Sequence, residues 1–373
     1  STWACGASSL GSTPSSHPKI RKLSYYLCKI SLFVKGFIFL YNDSMKNIKN
    51  VFYVLAFYLL SFSSASAHVK WFVDADEIIE KSHNTTPFYY MNSKEVWIWM
   101  AIVFVAVVIF GFLDSVIKTP KKLLKFGMEH EKSINRISQI VLGLFLITVS
   151  FVWKIIIVPD LEINNNISLF LAGIQALVGL MYVLNFFPRI ASLLLVGFCV
   201  GVGIWSGPIA FAENLILLSL ALYFFIKNSP EDSKIFRLNK HAVEFVRTGT
   251  GVSLIVLAFT EKLAYPELSL AFLEVHKWNF MQGLFPWYTD NLFVLSVGFA
   301  EVIFGILFVM GYLTRITTVL IAIFFALSVT TMFIQFGAWE VEDLVVYSAA
   351  IILLFYGHGN TKFFHPNFFK LKG

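Results

Sequence analysis

Cysteine and charge are what this chain has least of. Its three cysteines, Cys5, Cys28 and Cys199, allow no disulfide framework and no CxxC redox pair, and no CxxCH is present to attach haem. Charged residues make up 14% of the chain, against 57% apolar and 17% aromatic. That balance excludes a large soluble core and points to a chain that crosses a membrane several times. No Walker loop, dinucleotide fingerprint, HExxH or nucleophile elbow occurs, so no flavin or nucleotide motif is visible. Thr248-Gly-Thr-Gly251 falls within an apolar run and reads as helix packing, not as a phosphate cradle. Histidines are missing from the middle of the apolar runs, which argues against a haem-copper core. The net charge of +6 needs no nucleic acid to explain it. Lys and Arg gather in loops on one predicted side, as the positive-inside rule expects.

The N-terminal stretch reads as processing signals. Residues 1–44 do not begin with Met and read as upstream sequence. Met45-Lys-Asn-Ile-Lys49, the apolar stretch 51–62 and the small-x-small site Ala65-Ser-Ala67 compose a signal peptide over 45–67. Cleavage there would leave His68 first in a periplasmic segment, 68–95. A free N-terminal His offers its amine and ring nitrogen to one Cu(II) ion. His83 and His276 are the other histidines predicted on that side. The alternative is an ordinary residue after a cleavage site.

Nine spans follow. The first is predicted over 96–117, and the loop behind it carries Lys118, Lys121, Lys122, Lys125, Lys132 and Arg136, which makes that side cytoplasmic. Spans at 137–158, 167–187, 190–205 and 209–226 form a first unit, 136–227. After the linker 227–240, spans at 242–263, 292–312, 316–336 and 344–356 form a second, 240–360. A basic tail, 361–373, closes the chain on the cytoplasmic side.

The two units are copies. Gly143 to Lys154 aligns without a gap on Gly251 to Lys262, and Pro159-Asp160 matches Pro266-Glu267. Gln175-x-x-x-Gly179 with Arg189 matches Glu301-x-x-x-Gly305 with Arg315. Glu213-Asn214-Leu215 matches Glu342-Asp343-Leu344. Self-similarity at this level fixes architecture before any site is considered. The expected fold is therefore all-α: a polytopic membrane protein with two tandem four-helix bundles in parallel orientation plus one extra N-terminal span. One segment, 266–290, breaks the repeat. It carries Trp278, Phe280, Phe285, Pro286, Trp287 and Tyr288, and reads as a short helix on the outer surface ending in a Gly283/Pro286 turn. It would anchor the chain there or act as a lid over a lipid-soluble ligand.

Charge inside apolar spans costs about 2.5–3.5 kcal/mol per group on insertion scales, so each such group needs a partner or a role. The second unit holds Glu261, Lys262, Glu301, Glu340, Glu342 and Asp343. At matching positions the first has Trp153, Gln175 and Asn214, so it is largely neutralised. Any site therefore belongs to the second unit. Glu301, a carboxylate about halfway along its span, and Lys262 are the candidate reacting groups. Glu261, Glu340, Glu342, Asp343, Trp278 and Trp287 are the candidate ligand-binding residues, under an opening toward the outer leaflet. His68, His83 and His276 are the candidate metal ligands. The reading of Glu301 as a hydrogen-bonded group packed beside Gly305 stays open.

These motifs carry a resemblance. From Arg247 to Asn360 the chain resembles the DoxX family of four-helix membrane proteins. The likeness lies in Glu261-Lys262 ending a helix, Ala300-Glu301-x-x-x-Gly305, Gly311-x-Leu-Thr-Arg315, Glu342-Asp343-Leu344 and Gly357-His-Gly-Asn360. The first unit is a weaker second copy. The resemblance implies a subunit of a quinone-linked oxidoreductase complex, such as thiosulfate:quinone oxidoreductase, or a member of a redox-stress assembly. It implies a bacterial inner-membrane location, a quinone held in the second unit and electrons supplied by a partner; the expected partners are membrane lipid and a redox partner protein or, in a homo-oligomer, further copies of the chain. A membrane scaffold without enzymatic activity and a copper-handling protein using His68 are the alternatives.

Overall fold

The computed structural model describes residues 94–117, 121–153, 155–162, 166–264, 266–336 and 343–359. The expected signal peptide over 45–67, His68, His83, Glu340, Glu342 and the tail 361–373 lie outside the described residues. Six of the described helices are long and apolar enough to cross a membrane, and the protein is membrane-embedded. Leu215–Lys227, Thr314–Leu327 and Asp343–Tyr356 are apolar but shorter.

Helix α1 (Lys94–Val116) has no charged residue between Glu95 and Asp114. It buries just Val96 and Gly111, and turns Phe104, Val105 and Phe112 outward. Helix α2 (Lys121–Glu129) is short and amphipathic. Helix α3 (Glu131–Thr148) ends in a π-helical turn over Val149–Trp153, after which β1 (Ile155–Ile156) and β2 (Val158–Glu162) make a small antiparallel ribbon. Helices α4 (Asn166–Leu184), α5 (Pro188–Glu213) and α6 (Leu215–Lys227) follow. A 3-10 turn at Phe236–His241 leads into α7 (Ala242–Ala258), which also ends in a π-helical turn, Phe259–Leu263. Two short helices, α8 (Pro266–His276) and α9 (Phe280–Leu284), precede α10 (Asp290–Met310), α11 (Thr314–Phe336) and α12 (Asp343–Tyr356).

Lipid supplies no hydrophobic drive between helices, so close contact requires small residues where helices cross. A Cβ on Gly143 in α3 would sit 2.5 Å from the carbonyl oxygen of Gly179 in α4. A Cβ on Gly251 in α7 would sit 2.6 Å from the carbonyl oxygen of Gly305 in α10. The α3–α4 and α7–α10 pairs are among the most extensive helix contacts. Both α4 and α10 end in the same left-handed geometry: φ is 56° and 46° at Asn185 and Phe187, and 79° and 42° at Gly311 and Leu313. Helix ends leave carbonyls without intrahelical donors, and here arginines supply them. Arg136 in α3 donates to the carbonyls of Tyr182 and Val183. Arg247 in α7 donates to those of Phe308 at 2.7 Å and Val309 at 2.9 Å. Arg315 in α11 donates to the carbonyls of Leu354 and Phe355 in α12.

The centre is built from α3, α6, α7 and α12. Helix α7 packs more extensively on α6 than on α12, and α3 more extensively on α12 than on α6. Ser138 Oγ donates to the Ser348 carbonyl at 2.8 Å across α3–α12. Gly249 makes room for Ser219 across α6–α7, where the Ile216 amide also donates to Ser253 Oγ at 2.8 Å. The main hydrophobic cluster spans these four helices, with Leu146, Leu220, Tyr223, Phe224, Val246 and Leu353 fully covered. Helix α1 lies along α10. Trp99 stacks on Phe299 with centroids 6.3 Å apart, and Asp114 accepts the Leu313 amide at 2.9 Å.

Three elements depart from the sequence reading. The span expected to reach 158 ends at Trp153, because the π-helical turn unwinds into the ribbon. The break expected between 205 and 209 is a bend at Gly207 (φ 91°), where Pro208 has no amide to donate, and the following helix starts at Leu215 instead of 209. The loop read between the first two spans contains α2.

Candidate functional site

The π-helical turn at the end of α7 places Glu261 and Lys262 against α10. A π turn adds a residue to the helical circuit and re-aims the side chains that follow it. Glu261 is 1% exposed, and Lys262 keeps 12% of its side chain exposed. Gly298 in α10 makes the approach possible. A Cβ there would meet Lys262 Cβ at 3.2 Å and Leu263 Cδ2 at 2.8 Å. The lysine stem passes this gap and runs one turn along α10, so that Nζ lies 3.1 Å from Glu301 Oε2. The same Nζ is 3.8 Å from Glu261 Oε2.

Glu301 is 7% exposed and lies roughly 16 Å along α10 from its first residue. Helix α8 packs over both the π-helical turn and α10, and Ser269 Oγ donates to the Glu261 carbonyl at 2.9 Å. Ala258, Leu263, Leu295, Phe299 and Val302 line the adjoining cluster with Val96 of α1, which keeps the surroundings apolar. In that setting an ion pair is far stronger than at a wet surface, and each of its charges is far more costly alone. Two carboxylates and one ammonium sum to a formal −1 when all are ionised. Exchange of a single proton therefore toggles the triad between neutral and negative. Chemically the triad presents an N–H donor and two carboxyl groups, which suits the carbonyl or hydroxyl oxygens of a small ring compound.

In the expected first unit the residues aligned with the two carboxylates, Glu261 and Glu301, are the uncharged Trp153 and Gln175. Gln175 is 1% exposed, and its amide nitrogen donates to the carbonyls of Leu146 and Ile155, both at 3.4 Å. Asn214 donates to the Ala210 carbonyl at 2.8 Å.

The structure brings Glu261, Lys262 and Glu301 together, as their positions in the sequence suggest. Asp343 is buried at the start of α12. Trp278 packs edge-on against Phe272 at 5.6 Å, in a cluster with Leu273 and Val294. Trp287 is 66% exposed, with Phe285 and Tyr288 as ring neighbours. The two tryptophans thus stand in different surroundings, and the element seated directly on the triad is α8. His276 ends α8, and its side chain is outside the description. Among the described residues no group of three His, Cys, Asp or Glu side chains is arranged to hold a metal.

Sequence reasoning passed over Arg247. It is fully buried inside a span and holds the α10 C-terminus, with Gly311 leaving space for its guanidinium. The signal was available: an arginine more than a turn inside a predicted span demands a partner, and a helix C-terminus supplies one. No family model, curated protein or solved structure matches this chain.

Proposed function

We propose that this chain is a DoxX-like integral membrane subunit of a quinone-linked oxidoreductase complex, and that its second unit binds a quinone or another lipid-soluble ligand at Lys262, Glu301 and Glu261. In this reading the six long and three shorter apolar helices make nine crossings. The chain is a tandem duplication over 136–227 and 240–360, with its C-terminus in the cytoplasm of a bacterium and its body in the inner membrane. The recurrent glycine crossings, left-handed turns and arginine caps support the duplication.

The observation that carries the functional reading is the 3.1 Å contact of Lys262 with Glu301 inside an apolar bundle, with Glu261 beside it. A stable helix pair does not need three ionisable groups, and Gln175 shows that an amide fills the same place. The donor set fits a quinone. Lys262 would donate to one ring oxygen, and a carboxyl of Glu301 or Glu261 would exchange a proton with it. The quinone would supply the electron-accepting ring, and a redox partner protein the electrons.

The test is Glu301→Gln in the full-length protein purified in mild detergent. The amide keeps the shape, and Glu261 still balances Lys262, so the fold should hold. Quinone retention and quinone-linked turnover should both fall. The scaffold reading rests on a specific fact: the ion pair joins α7 and α10, the most extensive contact among the described helices. Unchanged quinone retention together with a lowered unfolding temperature would select it.

A further inference from the structure

Helix α2 was expected to be loop, and its faces do not match a loop's role. Lys122, Lys125 and Glu129 share one face. Leu123 and Gly127 lie opposite, and Gly127 fits against Phe355 of α12, where a Cβ would be 3.3 Å from both Phe355 Cβ and its carbonyl oxygen. The apolar face is wider than this contact. Leu124, Phe126 and Met128 flank it and stay 37%, 42% and 60% exposed. A helix joining two membrane-crossing helices, with exposed apolar flanks and lysines above them, has the pattern of a helix lying in the interface plane.

The charge on it is available. Lys125 and Glu129 are 3.7 Å apart with side chains 75% and 55% exposed, so water screens the pair and Lys125 exchanges it easily. Lys122 is exposed, as is Lys132 at the start of α3. We propose that α2 is a seat for anionic phospholipid headgroups: Lys122, Lys125 and Lys132 face the phosphates while Leu124, Phe126 and Met128 enter the acyl boundary. The complementarity is of charge and depth together. Zwitterionic headgroups satisfy the apolar flanks but not the lysines.

The full-length protein, moved into nanodiscs of phosphatidylcholine with or without phosphatidylglycerol, tests this by native mass spectrometry of the lipids it retains. The wild type should retain phosphatidylglycerol over phosphatidylcholine. Lys122→Gln with Lys125→Gln should cut that preference by about fivefold for each lysine removed. Glu129→Gln, which frees Lys125, should raise it. Added salt should weaken it in the wild type more than in the double variant. These substitutions lie on an exposed face, so the unfolding temperature in phosphatidylcholine should not change, which separates lipid selection from folding. Equal retention of the two lipids by the wild type, or a full preference in the double variant, would overturn the assignment.

Discussion

Lys262 lies against two carboxylates beside an apolar cluster, so its loss takes one positive charge away from two like charges. Lys262→Met should destabilise the bundle by about 3–5 kcal/mol, read as loss of unfolding free energy in detergent. Adding Glu261→Gln and Glu301→Gln to that variant should recover most of the loss, because the excess negative charge goes with it. A triple variant as unstable as Lys262→Met would mean that the stem, not the charge, carries the effect. At this scale much of the site was legible. A mid-span Glu and a Lys at the end of the neighbouring span announce each other through the cost of leaving either alone. The arginine caps were not legible as caps. Arg136 reads as one more loop cation until the ends of α3 and α4 are placed side by side, where it meets Tyr182 and Val183.

The glycines divide the elements into two kinds. Gly143, Gly179, Gly251 and Gly305 stand at crossings where any Cβ meets a carbonyl, whereas Gly197 and Gly201 on the outer face of α5 have nothing within 4 Å. Gly251→Val should lower the unfolding temperature sharply, by pushing α7 off α10. Gly197→Ala should leave it unchanged or raise it, since Ala is favoured over Gly in helices by roughly 1 kcal/mol. If the two variants behave alike, the α7–α10 crossing is looser than described. Sequence alone treats all these glycines as small residues in apolar runs. Only the helix partner distinguishes a crossing from a face turned toward lipid. The same limit hid the ribbon after α3 and displaced the start of α6. Hydropathy continues through Ile155–Ile157, so only backbone geometry marks the strand; Gly207-Pro208 announces a break, but not that the helix runs on to Glu213 beyond it. Segment 266–290 was better served, because its Pro, Gly and aromatic pattern interrupts the apolar period, and α8 and α9 occupy it.

The central helices tie the two halves into one folding unit. Because α7 packs more extensively on α6 than on α12, and α3 more extensively on α12 than on α6, a fragment covering 240–360 should be degraded or aggregate when expressed alone. Co-expression with a fragment ending at 227 should restore it, and stable accumulation of the lone fragment would count against interdependence. The proposed topology has its own check, in a background lacking the native cysteines. Gln282→Cys should react with an impermeant maleimide from outside intact cells, and Asp232→Cys only after the membrane is opened; both residues are exposed. The reverse pattern would invert the orientation.

Under the proposed duplication, the reciprocal seating of α6 on α7 and of α12 on α3 would be the contact pattern of a two-fold dimer whose partners have been joined end to end. Two separate identical chains must write every change twice, so each would carry a titratable cluster or neither would. The linker between α6 and α7 removes that obligation. On that proposal one copy would be free to keep Gln175 as packing while the other retains Glu301, and the molecule would be left with a front and a back. The proposed lipid-soluble ligand would then meet one addressed half of the molecule instead of two equivalent ones.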